Sequence, residues 1–225
     1  MSKPAAEEAT RRAEDEPTES RWPPALAVLA ALLLYLTLPP HLTLGPAWLM
    51  PALVLALLLP LLYMGPVFAA EPPLRRRVGI ILIGIVNLAN IASLVLLVHT
   101  LLTPGTKETG WGLLVSASAI WLTNILVFGL WYWELDRGGP QQRLRASRRH
   151  ADFLFPQMVT PSCAPTVWLP GFMDYLYLAL TNATAFSPAD TAPLTPGAKA
   201  LMAIESLVSL LTIALVAARA VGILA

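Results

Sequence analysis

The chain has 225 residues, of which 56% are hydrophobic and 13% charged, and its formal net charge is +1. This composition is more apolar and less charged than that of a soluble domain, and the near-neutral charge gives no indication of a nucleic-acid partner. The single cysteine, Cys163, excludes an internal disulfide framework and a zinc site of the Cys-x-x-Cys kind. The composition therefore predicts an integral membrane protein.

The first 22 residues are polar and show no apolar periodicity. They hold four basic and six acidic residues, and we expect them to form a disordered cytoplasmic tail over 1–22. No small-residue cleavage site separates this tail from the first apolar block. We therefore expect that block to stay in the protein as an anchor.

Apolar blocks of about 20 residues follow, the length that a helix needs to cross roughly 30 Å of hydrocarbon. A sixth apolar segment, 168–186, is either a full span or a re-entrant pore helix. The fold class predicted is all-α, a polytopic transmembrane helical bundle with five to six membrane helices. The five predicted spans are 24–42, 47–68, 78–102, 111–133 and 199–223.

Basic residues set the expected orientation in the membrane. They gather in the tail, in Arg75-Arg76-Arg77 and in the linker 134–167, whereas the loops on the other side hold only Lys107. The positive-inside rule places the N-terminus and this linker in the cytoplasm, on either side of a four-helix region over 23–133 in a bacterial inner membrane. Tryptophans near the ends of the predicted segments are expected at the interfaces: Trp22, Trp48, Trp111, Trp131, Trp133 and Trp168.

The linker 134–167 is basic and rich in proline. Gly138-Gly139-Pro140 lies near its start, and Pro156, Pro161 and Pro165, with Pro170 just beyond the linker, prevent a long helix. Its basic run from Arg143 to His150 either binds anionic lipid head groups or only keeps the linker in the cytoplasm. We favour the second interpretation because it needs no partner.

Polar residues recur inside the apolar spans. In the last span Glu205, Ser209, Thr212 and Arg219 share one helical face. Glu205 is either a cation site on a pore or substrate wall, or a side chain that snorkels to the membrane edge as Arg219 does. In the third and fourth spans we expect interhelical hydrogen bonds, with a polar pathway as the alternative, among Asn87, Asn90, Ser93, Ser116, Thr123 and Asn124.

The C-terminal part, 168–225, combines a short helical segment, a polar turn and a long helix. The turn reads Thr184-Ala-Phe-Ser-Pro-Ala-Asp190 and is followed by Pro193 and Thr195. With Glu205 in the long helix, this stretch resembles the pore-helix and inner-helix half of two-transmembrane potassium channels. The resemblance covers about a quarter of the chain and implies a pore loop. The chain also resembles bacterial polytopic membrane proteins of similar size that carry no assigned function.

The expected filter departs from that of potassium channels. No glycine lies between Gly171 and Gly197. Potassium filters line the ion path with backbone carbonyls and use glycines where other residues resist the required dihedral angles. A standard potassium filter is therefore not expected at this position.

These features favour an ion-channel-like protein, permeable to monovalent cations and assembled as a homo-oligomer in the lipid bilayer. Asp190 either attracts cations to a pore mouth or helps to cap the final helix. The alternative function is a non-conducting membrane scaffold or a small-solute-binding membrane protein. No catalytic or metal-binding motif is present, so we expect neither an enzyme nor a cofactor. The candidate pore or ion-binding residues are Thr181, Thr184, Ser187, Asp190 and Glu205.

Overall fold

The computed structural model of the chain describes residues 20, 22–46, 48–63, 72–103, 109–144, 150–160, 162, 168–184 and 190–224. The predicted tail lies almost entirely outside these residues. Within them the chain is mostly helical, with short 3-10 turns at Pro40–Leu42 and Asp136–Gly138. The helices are α1 (Trp22–Leu36), α2 (Leu49–Tyr63), α3 (Pro72–Leu102), α4 (Gly110–Leu135), α5 (Pro140–Leu144), α6 (Pro156–Val159), α7 (Phe172–Thr184) and α8 (Pro196–Leu224).

Three helices are long and apolar enough to cross a membrane. They are α3 over Leu74–Leu102, α4 with its following turn over Gly110–Gly138, and α8 over Pro196–Ala218. These helices occupy the predicted spans 78–102, 111–133 and 199–223. They support a helical protein embedded in a membrane.

The other predicted spans form shorter helices. The helices α1 and α2 have 15 residues each, or about 22 Å, against roughly 30 Å of hydrocarbon. The first ends at Leu36 rather than at residue 42 because Pro39 and Pro40 have no amide hydrogen to continue it. Of the described residues 168–184 in the sixth apolar segment, the 13 residues of α7 are helical, a length of about 20 Å.

The central element of the bundle is α4. It packs against α1, α3, α7 and α8 and is the most buried of the three long helices, whereas α8 is the least buried. Neighbouring helices therefore enclose most of the circumference of α4. A polar side chain on α4 must consequently find a hydrogen-bond partner inside the protein.

The described part of the linker packs into the bundle. Its strand β1 (Phe153–Leu154) pairs antiparallel with β2 (Ala192–Pro193), just before α8. Both Phe153 and Phe155 are buried, and their rings lie 5.1 Å from that of Tyr132 and 5.4 Å from that of Tyr175, respectively. The linker thereby fastens α4 to α7.

The tryptophans divide into two groups. Trp22, Trp48 and Trp111 are exposed, as expected of side chains at a membrane interface. Trp133, also predicted at an interface, is not exposed. Its side chain is buried because its ring packs edge-on against Phe172 at the start of α7, 6.1 Å away.

A glycine sets the close approach of α4 and α7. A Cβ atom at Gly129 would lie 3.1 Å from Cα of Leu176. We expect Gly129→Ala to lower the free energy of unfolding by about 1–2 kcal/mol, since the cost of separating two packed backbones exceeds the gain in helix propensity. Unfolding in mixed detergent micelles measures the difference.

The matched control is Gly84→Ala in α3. A Cβ atom there meets only the tip of the Trp131 side chain, at 4.0 Å, so the substitution is expected to raise stability by up to about 1 kcal/mol. Equal stabilities for the two variants would contradict the close contact between α4 and α7.

Candidate functional site

The Glu205 carboxylate lies in the protein interior, where α4, α7 and α8 meet. The residue is 0% exposed. Its Oε2 atom accepts hydrogen bonds from the Tyr132 hydroxyl and from Nδ2 of Asn182, the latter at 2.7 Å. Its Oε1 atom is buried and has no hydrogen-bond partner in the part of the chain that the structure describes. Within the described residues, hydrogen-bond donors therefore hold one oxygen of this carboxylate and none holds the other.

Neighbouring polar groups fix the Asn182 amide. Its Nδ2 also donates to the carbonyl oxygen of Met202 at 2.9 Å, and its Oδ1 accepts from the Ser206 hydroxyl at 3.1 Å. Because both ends of the amide are engaged by α8, the Nδ2 group is held in position beside Glu205. A short helix, α7, thus presents a fixed donor to a carboxylate of the long helix.

A second asparagine extends this group along α8. The Nδ2 atom of Asn124 donates to the Ser209 hydroxyl at 3.0 Å and lies 3.4 Å from the carbonyl oxygen of Glu205. Its Oδ1 atom is buried without a partner among the described residues. We call the set of Glu205, Tyr132, Asn182, Ser206, Asn124 and Ser209 the Glu205 cluster.

The shared polar face predicted for the last span holds for its described members. Glu205, Ser209 and Thr212 are all buried, since their spacing of four and three residues turns them toward the same neighbours. The snorkelling interpretation of Glu205 is wrong, because its carboxylate is enclosed by three helices rather than reaching water. The side chain of Arg219 lies outside the described residues.

The predicted polar residues of the third and fourth spans are buried except for Asn87, which is partly exposed, but they pair differently from the expectation. Asn124 bonds to α8 rather than to α3, because α4 contacts both helices and this side chain faces the last one. On α3, Asn90 and Ser93 are buried, and Asn90 Nδ2 and Ser93 Oγ have no partner among the described residues.

The other predicted site residues lie outside the Glu205 cluster. The Thr181 and Thr184 hydroxyls donate to backbone carbonyls one turn earlier in α7. Ser187 lies outside the described residues, and Asp190 is exposed. At the start of α8, the Thr195 hydroxyl accepts a hydrogen bond from the backbone amide of Ala198 at 3.3 Å.

A second buried polar group lies about one helical turn beyond Tyr132. Asp136, at the end of α4, is 0% exposed. It accepts hydrogen bonds from the Tyr175 hydroxyl at 2.5 Å and from the backbone amide of Asp152 at 2.8 Å, and Nε of Arg137 lies 3.8 Å away. Sequence reasoning missed this residue because it placed Asp136 in a basic linker.

Asp152 continues the connection from the linker to α8. Its carboxylate accepts from the backbone amide of Arg137 at 3.0 Å and from the Thr195 hydroxyl at 2.7 Å. Its carbonyl oxygen accepts from the amide of Leu194 at 2.8 Å. Two aspartates therefore hold the end of α4, the linker, α7 and the start of α8 together.

Arg143 adds a buried cation to the hydrogen-bonded group formed by Asp136 and Asp152. Gly138 and Gly139 have φ angles of +84° and +102°, and they reverse the chain so that α5 folds back on the end of α4. The buried Arg143 guanidinium donates to the Trp133 carbonyl at 2.6 Å, which satisfies an orphan acceptor of the helix end. Of the predicted basic run from Arg143 to His150, Arg143 is therefore buried within the protein, and residues 145–149 lie outside the described residues.

The Arg143 guanidinium also lies 5.0 Å from the ring centroid of Tyr175. Burial raises the pKa of the Tyr175 hydroxyl above its ordinary value, so the hydroxyl stays protonated and serves as a donor to Asp136. We call the set of Asp136, Tyr175, Asp152, Arg137, Arg143 and Thr195 the Asp136 cluster.

The two clusters differ in what they offer to a ligand. The oxygens of Asp136 and Asp152 are occupied by protein donors, which suits a structural role. In the Glu205 cluster two buried acceptor oxygens, Glu205 Oε1 and Asn124 Oδ1, have no protein donor in the described part of the chain. Among the described residues no group of three or more His, Cys, Asp or Glu side chains is arranged to hold a metal ion.

No protein-family model matches the chain, and no similar protein was found among the curated proteins or the solved structures.

Proposed function

We propose that this chain is an ion-channel-like integral membrane protein that binds and passes monovalent cations at the Glu205 cluster. The observation that carries the proposal is the fully buried Glu205, one oxygen of which receives no hydrogen bond from a described residue. An ionisable side chain within an apolar helix is costly, and such residues mark ion and proton pathways. A carboxylate kept as a packing contact needs partners for both oxygens.

The chemistry of the cluster favours a singly charged cation. It offers one carboxylate, the amide oxygen of Asn124 and the hydroxyl of Ser209, which are hard oxygen ligands with a combined charge of −1. A single carboxylate matches Na⁺, K⁺ or H⁺ better than a divalent ion, whose sites collect several carboxylates.

The finer architecture is part of the same proposal. A 13-residue α7, a polar turn and the long α8 have the order of a pore helix, a filter and an inner helix. We propose that several copies assemble with their 181–190 segments around one axis and Asp190 at the mouth. In this arrangement α1 and α2 complete five to six membrane segments, and the N-terminus is cytoplasmic.

A non-conducting scaffold or small-solute binder is the second candidate. It is favoured by the intramolecular hydrogen bonds of the Glu205 cluster, since Tyr132, Asn182 and Asn124 all find partners within one copy. In that case the cluster serves helix packing, for which interhelical hydrogen bonds contribute roughly 0.5–2 kcal/mol each.

Cation flux from proteoliposomes separates the two candidates. We expect the wild-type chain to pass potassium, sodium or protons, and Glu205→Gln to lower that flux by about tenfold or more, because a loss of 1.4 kcal/mol at the ion site already corresponds to tenfold. We expect Asp190→Ala to give a smaller reduction that shrinks as salt rises, since an exposed charge acts by attracting cations through solvent.

The control is Asp174→Asn at the start of α7. This residue accepts the amide of Gly171 at 2.8 Å, and the asparagine keeps that acceptor while removing the charge, so the flux is expected to stay at the wild-type level. An equal loss in Asp174→Asn and Glu205→Gln would remove Glu205 from its assigned role. A folded wild-type chain without flux would favour the scaffold.

A further inference from the structure

A cavity of about 440 Å³ lies at the end of the bundle where α3 begins and α4 ends. It shares no lining residue with the Glu205 cluster. One wall is apolar and comes from α1, α2 and α3, and Val28, Leu58 and Ile83 are three of its side chains. The polar part of the lining holds the triple arginine Arg75–Arg77 together with Glu134. The cavity is thus amphipathic.

The polar wall carries excess positive charge. The described lining residues include three arginines and one acidic residue, Glu134. Nε of Arg76 lies 3.6 Å from Oε1 of Glu134, and a terminal nitrogen of Arg75 donates to the Leu61 carbonyl at 3.4 Å. The Nε atoms of Arg75 and Arg76 are buried without hydrogen-bond partners in the described part of the chain. Each guanidinium carries five N–H donors, and these contacts of Arg75 and Arg76 with described residues occupy only part of them, so donors remain for an anion.

The position of the cavity decides which anion suits it. The three arginines stand at the start of a helix that is long enough to span a membrane, where the head groups of a bilayer lie. Guanidinium groups bind phosphate through paired hydrogen bonds, and basic pockets between membrane helices on the cytoplasmic side accept lipid head groups. The apolar side chains that line the same cavity can contact the first carbons of an acyl chain.

We propose that this cavity binds the phosphate head group of an anionic phospholipid, with its acyl chain along the apolar wall. Arg75 and Arg76 hold the phosphate, and the side chains of α1 and α2 contact the lipid tail. This inference does not depend on ion flux through the Glu205 cluster.

Native mass spectrometry of the purified full chain tests the site by titration with short-chain lipids. Dioctanoyl phosphatidylglycerol is expected to bind about fivefold or more tightly than dioctanoyl phosphatidylcholine, since each arginine near the head group favours the net negative lipid. Glycerol 3-phosphate, which has the phosphate without the chains, is expected to bind more weakly than phosphatidylglycerol. Binding of glycerol 3-phosphate as tight as that of phosphatidylglycerol would replace the lipid by a soluble phosphate and overturn the proposal.

Two variants locate the binding, each with a matched control. Arg76→Gln removes a charge from the wall and is expected to weaken phosphatidylglycerol binding about fivefold, whereas Lys199→Gln, on an exposed residue of α8, is not. Gly79→Leu keeps every charge but fills the cavity, because a Cβ atom there meets nothing within 4 Å. Gly197→Leu has equally open surroundings outside the cavity.

Gly79→Leu also covers the case in which Arg76→Gln does not fold, since leucine favours a helix more than glycine does. Loss of phosphatidylglycerol binding in Gly79→Leu, with Gly197→Leu unchanged, supports the site. Unchanged binding in Gly79→Leu, or equal affinity for phosphatidylglycerol and phosphatidylcholine, would overturn it.

Discussion

Replacing Asp136 with alanine is expected to lower the free energy of unfolding by about 3–5 kcal/mol, the cost of removing one member of a buried charged network. The substitution leaves the Tyr175 hydroxyl and the backbone amide of Asp152 without their acceptor. It also removes the negative charge beside Arg137, whose Nε lies 3.8 Å from Asp136. Unfolding in mixed detergent micelles, followed by tryptophan fluorescence, measures the change.

The matched control is Asp190→Ala. Asp190 is exposed, so the same substitution there is expected to change stability by no more than about 0.5 kcal/mol. An Asp136→Ala variant as stable as Asp190→Ala would show that the end of α4, the linker and α7 are not held together by this carboxylate.

Replacing Tyr132 with phenylalanine is expected to cost about 2–3 kcal/mol, because it withdraws a donor from a buried carboxylate and keeps the ring. The ring is 0% exposed and packs edge-on against Phe153 at 5.1 Å, so packing is preserved in the variant. After the substitution, Asn182 is the only side chain among the described residues that donates to Glu205. The loss therefore reports the hydroxyl alone.

The control for Tyr132→Phe is Tyr177→Phe. Tyr177 lies on α7 and is 63% exposed, so loss of its hydroxyl is expected to leave stability within about 0.5 kcal/mol of the wild type. If Tyr132→Phe matched this control, the hydrogen bond to Glu205 would contribute nothing to folding. The Glu205 cluster would then need a different geometry.

The long helices were predictable because their signal is local. An apolar run of about 20 residues needs no knowledge of its neighbours to be identified as a membrane helix, and α3, α4 and α8 confirm three such runs. The polar face of α8 was equally accessible, since Glu205, Ser209 and Thr212 follow the period of a helix. Boundaries failed where prolines intervened, as at Pro39 and Pro40 after α1.

The partners of the polar residues were not predictable in the same way. Asn124 finds Ser209 across 85 positions, and Tyr175 finds Asp136 across 39. No periodicity connects such residues, because the contact arises only after helices have packed. The available signal for Asp136 was its position directly after a strongly apolar, aromatic helix end, where a carboxylate must be buried or reach water.

The burial of Phe153 and Phe155 in the linker was likewise not predictable from the local sequence. Phe153 and Phe155 stand in a short segment bounded by charge and proline, which gave no helical period to interpret. Their burial depends on contacts with Tyr132 of α4 and Tyr175 of α7, which lie about 20 residues away in the chain on either side. Packing of this kind is decided by tertiary shape rather than by local pattern.

The role of Glu205 in cation permeation is tested by the flux of potassium, sodium and protons through wild-type protein and Glu205→Gln, reconstituted at equal density in the same lipid. We expect the wild type to pass at least one of these ions, and the variant to pass it about tenfold or more slowly. Equal flux in the two proteins, or none for any of the three ions from folded and inserted wild-type protein, would contradict it.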